Sequence, residues 1–90
     1  MRNINEYTIT AAVLESMAGT SDARLKEVMS ALVHHLHDFA REVKLTEAEW
    51  MAGIEFLTAT GQKCDDKRQE FILLSDTLGL SMLTVALNHA

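Results

Sequence analysis

Ninety residues, 48% of them hydrophobic but with only three Phe, one Trp and one Tyr, describe one small domain with an aliphatic core; a chain of this size buries roughly 60–65% of its unfolded surface. A net charge of −5 with acids and bases interspersed excludes a nucleic-acid-binding face, and the single Cys64 excludes an internal disulfide or a multi-cysteine zinc site. With no proline, four glycines, no apolar run of the roughly 18 residues that a membrane span requires and no charged-then-apolar leader, the expectation is an all-α, cytoplasmic protein.

Five helices are predicted, over residues 5–18, 22–43, 46–60, 65–79 and 81–88. In the first, Tyr7, Ala11, Leu14 and Ala18 fall on one helical face, while the β-branched Ile4, Thr8 and Ile9 weaken its start. Gly19 is expected to close it in a left-handed conformation, and Ser21 or Asp22 to cap the next. The second helix is the longest. Leu25, Val28, Met29, Leu32, Val33, Leu36, Phe39, Ala40 and Val43 match the amphipathic template, and Lys26, Ser30, His34, His37 and Arg41 occupy the other side.

Thr46-Glu47-Ala48-Glu49 is a capping box, with Leu45 and Trp50 as its hydrophobic staple. The third helix is expected to bury Trp50, Ile54, Leu57 and Phe56. Its mid-helix Gly53, worth about 1 kcal/mol less than alanine, suggests a close helix crossing. Asp65 or Asp66 is expected to cap the fourth helix, with Gln69 as box partner, and Phe71, Leu74 and Leu78 to form its apolar face, broadened by Ile72 and Leu73 and interrupted by Asp76. Gly79 stops or sharply bends it. Ser81 is expected to cap a last helix whose Met82, Leu83, Val85, Ala86 and Leu87 are apolar almost all round.

Few of these residues carry chemistry. His34 and His37 share a face, but His35 points towards Asp38 and Glu42, so two metal ligands are the most this segment offers, and no H-E-x-x-H supplies a base. A solvated or helix-packing role is the preferred reading. Cys64 precedes two acids, which disfavour a thiolate, and no histidine stands at an obvious spacing to activate it. From spacing alone, Asp76 reaches solvent or a nearby helix terminus. The apolar residues exceed what a ninety-residue interior can hold, so an exposed apolar patch is expected.

The stretches L-T-E-A-E-W-M-A-G-I-E-F-L-T-A-T-G-Q (45–62) and D-D-K-R-Q-E-F-I-L-L-S-D-T-L-G-L-S (65–81) resemble the N-terminal helical domain of intradiol ring-cleaving dioxygenases. S-D-T-L-G-L-S looks closest to the hydroxyquinol 1,2-dioxygenase branch, followed by catechol and chlorocatechol 1,2-dioxygenases. The resemblance covers residues 24–89 and is weak before Ser21. It implies a domain that dimerises and roofs the active site of a following β-sandwich domain, with Leu73 and Asp76 on the substrate side. An acid at Asp76 suits a ring bearing an extra hydroxyl.

The family's Fe(III) is held by two tyrosines and two histidines of that β domain. Tyr7 is the sole tyrosine here, so this chain has no catalytic residue or metal ligand and is expected to be inactive alone. It ends about where the connection to the β domain would begin. The resemblance further implies a homodimer enclosing a hydrophobic tunnel for a phospholipid or fatty acid, with Leu25, Met29, Leu32, Val33 and Leu36 as candidates for that surface. The alternative is a free-standing helical homodimer that binds a lipid in such a tunnel.

Overall fold

The computed structural model describes residues 4–89. Among them are five helices and no strand: α1 (Ile9–Ser16), α2 (Ala23–Val43), α3 (Glu47–Gln62), α4 (Glu70–Thr77) and α5 (Leu80–Asn88). The protein is all-α, as its lack of proline and its periodicities require. The chain divides into two units, Met1–Leu45 and Thr46–Ala90.

In the first unit, the turn before α1 is built by Asn5. Its Oδ1 accepts from the Tyr7 and Thr8 amides at 2.8 and 3.1 Å, and Thr8 Oγ1 accepts from the Asn5 amide at 3.0 Å. This reciprocal pairing closes a turn over residues 5–8, so the helix proper begins four residues later than predicted. Helix α1 ends at Ser16, and Gly19 is not left-handed. Asp22 caps α2 by accepting from the Leu25 amide at 3.0 Å. At the far end, Lys44 takes the left-handed conformation (φ 51°). Its amide donates to the Arg41 carbonyl and that of Leu45 to the Ala40 carbonyl, a Schellman motif without glycine.

The α1–α2 pair is joined on the side of α2 expected to be solvated. Arg41 Nη2 donates to Thr10 Oγ1 (2.6 Å) and to the Glu6 carbonyl (2.9 Å), and Thr10 Oγ1 lies 2.7 Å from His37 Nδ1. Lys26 Nζ reaches the Ala18 carbonyl at 3.4 Å. Ser30 and His37 of that side are half-buried, together with Met29, Val33 and Ala40 of the neighbouring apolar set.

In the second unit, α3 packs on α4 and α4 on α5. The capping box is formed as predicted: the Glu49 amide donates to Thr46 Oγ1 at 3.1 Å, and Glu49 Oε1 accepts from the Thr46 amide at 2.9 Å. The hydrogen bond from the Thr46 amide, then that from the Thr46 hydroxyl, holds the Glu49 carboxyl below its usual range.

The start of α4 departs from expectation. Asp65 caps no helix. Its Oδ1 accepts from the Lys67 and Arg68 amides at 2.8 and 2.7 Å, which holds its carboxyl below the usual range and spends residues 65–68 on a turn. Gln69 is the N-cap instead, accepting from the Phe71 amide at 3.3 Å. The N-cap of α5 is Gly79 (φ 77°), not Ser81, which sits inside the helix.

Among the described residues no apolar side chain is buried; Thr60 is the one buried residue, its hydroxyl donating to the Phe56 carbonyl at 2.9 Å. Trp50, Ile54, Phe56 and Leu57, expected inside, are 53%, 37%, 57% and 49% exposed. Gly53 meets no close crossing, since a Cβ there would find nothing within 4 Å. The helical glycine that does meet a neighbour is Gly61, where the Phe71 ring lies 3.7 Å from the position a Cβ would take, an ordinary van der Waals distance.

Candidate functional site

Helix α4 carries Leu73 and Asp76 three residues apart, near one face of its two turns. Both are exposed. Leu73 also lines a cleft of 310 Å³ between α3 and α4, together with Phe56, Ala59, Leu74 and Thr77, with Lys63 and Glu70 at its edge. Asp76 is not part of that cleft, and its carboxylate makes no hydrogen bond or ion pair among the described residues. A side chain so placed is free to accept a hydrogen bond from outside the unit.

Glu70, at the first turn of α4, pairs with Arg68 at 2.7 Å. That pairing lowers the Glu70 carboxyl and raises the guanidinium from their ordinary values. It orders the approach to α4 at the edge of the cleft that Leu73 lines, and does not involve Asp76.

The second candidate surface runs along α2. Leu25, Leu32 and Leu36 are about half exposed, whereas Met29 and Val33 are half-buried on the side that α1 covers. Val28, Phe39 and Val43, absent from the candidates drawn from the resemblance, complete the exposed stripe at 45%, 51% and 47% exposure. Their spacing places them on the line through Leu25, Leu32 and Leu36, one position off the line through Met29, Val33 and Ala40. That one-position offset is the signal that separates the two faces.

A third feature was not legible in the sequence. The turn at residues 5–8, α1 and the end of α2 enclose an open cleft of 680 Å³, with Ile9, Ala40 and Leu45 as its apolar lining and His37, Arg41 and Lys44 at its rim. The Thr10, His37 and Arg41 side chains meet there from positions 27 and 31 residues apart, which no local pattern announces. At the same rim, a hydrogen bond to Glu6, reinforced by its charge, holds the Tyr7 phenol above its ordinary value.

These residues do not fit an iron centre. Tyr7 is the only tyrosine and is 84% exposed, and among the described residues no three of His, Cys, Asp and Glu stand close enough together to hold a metal. Nor is any single described helix long and apolar enough to cross a membrane; α4 and α5 pass on length and composition only as a pair bent by 80°.

The family model for the catechol dioxygenase N terminus matches residues 22–90. A 6-chlorohydroxyquinol 1,2-dioxygenase of Cupriavidus pinatubonensis is 66% identical over 89 residues, which are 99% of this chain and 32% of that protein. A hydroxyquinol 1,2-dioxygenase of Nocardioides simplex is 57% identical over 84 residues, 93% of this chain and 29% of that protein. The solved structure of hydroxyquinol 1,2-dioxygenase from Pseudomonas putida DLL-E4 superposes with a TM-score of 0.89 at 59% identity, covering 93% of this chain and 30% of that one. The ninety residues thus span about a third of the length of these relatives. By the match over residues 22–90, the chain belongs to the catechol dioxygenase N-terminus family.

Proposed function

We propose that these ninety residues act as the dimerisation and active-site-capping domain of an intradiol dioxygenase that opens hydroxyquinol or a catechol. In this reading the two units work as one helical domain, and ferric iron and ring cleavage reside in a following β-sandwich domain. Helix α4 leans over that domain's pocket. Leu73 packs on the ring, and Asp76 accepts a hydrogen bond from a ring hydroxyl beyond the ortho pair. The observation that carries the reading is the α4 face itself: an apolar side chain and an unpaired carboxylate, both exposed, within a family match that takes in all of α4.

The α2 stripe gives the same proposal its second half. Six apolar side chains from Leu25 to Val43, each at least 45% exposed, lie along one helix line, and a second copy of the chain covers them. An acyl chain of a phospholipid or fatty acid would lie between the paired stripes. A cytoplasmic setting completes the proposal.

Native mass spectrometry of the ninety-residue chain tests the dimer directly. The expected species is twice the 10.0 kDa chain mass, with a lipid-sized adduct if the stripes enclose one. A monomer at tens of micromolar, where a specific interface would hold, would sink the dimer half. The capping half is tested in the full dioxygenase: Asp76→Ala should cost hydroxyquinol turnover more than catechol turnover, and equal losses would refute it.

A further inference from the structure

Helix α4 has two turns, too short to hold a direction by itself in water, so what aims it must come from its neighbours. Its link to α5 is a glycine bend. The Leu78 amide closes on the Leu74 carbonyl and the Gly79 amide on the Asp76 carbonyl, Gly79 turns through φ 77°, and α5 leaves at 80° to α4. No side chain caps the start of α5. Packing of α3 and α5 on α4 limits this bend, but with glycine at its pivot its exact angle depends on what directly spans it. Among the described residues one side-chain hydrogen bond does so: Ser75 Oγ and Ser81 Oγ stand 2.8 Å apart, both half-buried, one on each helix.

The placement of Ser75 bears on the site. At roughly 100° per residue, Ser75 lies on the far side of α4 from Leu73 and well round from Asp76. It can therefore be tied down without obstructing the face those two residues share. We infer that the Ser75–Ser81 hydroxyl pair is a positioning element: it locks the α4–α5 bend and so sets where Leu73 and Asp76 stand over the substrate ring. This inference rests on the proposed capping role of α4.

Leverage explains why so small a contact matters. Leu73 is six residues from the pivot, roughly 9 Å along the helix, so a swing of about 10° displaces it by about 1.5 Å. A misplacement of about 1 Å at a site of recognition can cost on the order of a hundredfold in rate. Selection is more sensitive than turnover in general, because the hydrogen bond from Asp76 to an extra ring hydroxyl depends on direction.

The test is steady-state kinetics in the full dioxygenase with hydroxyquinol and catechol as paired substrates. Ser75→Ala and Ser81→Ala should each lower the ratio of their kcat/KM values by about tenfold. The double variant should do no worse than either single one, since both remove the same bond. Ser81→Thr, which keeps a hydroxyl, should restore the ratio, and it also serves if an alanine variant fails to fold. Equal losses on both substrates, or additive losses in the double variant, would overturn the inference. Asp76→Ala separates the layers. If it leaves the ratio unchanged, the capping role fails and the inference with it. If it collapses the ratio while the serine variants do not, only the clamp is wrong.

Discussion

Three glycines show how one residue type serves different physical needs. Gly79 occupies the left-handed region, where an L side chain costs roughly 1–2 kcal/mol. Gly61 sits in the last turn of α3 with the Phe71 ring at ordinary van der Waals distance from a would-be Cβ, and Gly53 has open space around it. Neither of the latter needs glycine for its backbone. Gly79→Ala should therefore destabilise the second unit by roughly 1–2 kcal/mol, while Gly61→Ala and Gly53→Ala should each stabilise it by up to about 1 kcal/mol. Chemical denaturation of the ninety-residue chain measures all three. A loss of stability at Gly53 confined to the proposed full-length dioxygenase would mark that open side of α3 as a surface another element approaches.

At the scale of the element, the second unit is expected to respond to acid. Glu49 and Asp65 each accept hydrogen bonds in the folded chain that hold their carboxyls below the ordinary values of 4.5 and 3.8. Such groups support the fold above their unfolded pKa, and the support is lost as pH falls through the lowered folded value. The start of α3 and the turn before α4 should accordingly loosen below about pH 4, read as a falling circular dichroism signal at 222 nm. Glu49→Gln should remove part of that dependence; an unchanged acid profile would count against the capping box as its source. The box was legible in the sequence because it is local: four consecutive residues contain both donors and both acceptors. The start of α4 was not, because Asp65 can satisfy two amides either in a turn or at a helix cap, and the next residues decide. The facing of α2 was half legible. Periodicity says which side chains share a line, but not which line α1 will cover, and the Arg41–Thr10–His37 contacts that settle it come from residues distant in sequence.

At the scale of the whole molecule, no apolar side chain is buried among the described residues, and the proposed partner surfaces are where that exposed apolar area would be covered. Leu32→Asp and Leu36→Asp, in the middle of the α2 stripe, place a charge where apolar contact is proposed. Both should convert a dimer to monomer with the helical signal of α2 intact, since the substituted faces are already half exposed. Sedimentation equilibrium reads the change, and a dimer surviving both substitutions would place the interface elsewhere. The stripe also bears on how the protein is born. Helix α2 is finished within the first half of these ninety residues, and a ribosome adds roughly 5–20 residues per second. In the proposed full-length setting, a sticky ridge therefore leaves the exit tunnel many seconds before the β domain exists. Two neighbouring nascent chains on one messenger would meet through it. Partnering during translation then becomes the expected route of assembly, and profiling of ribosomes joined through their nascent chains would show pairing to begin once α2 has emerged.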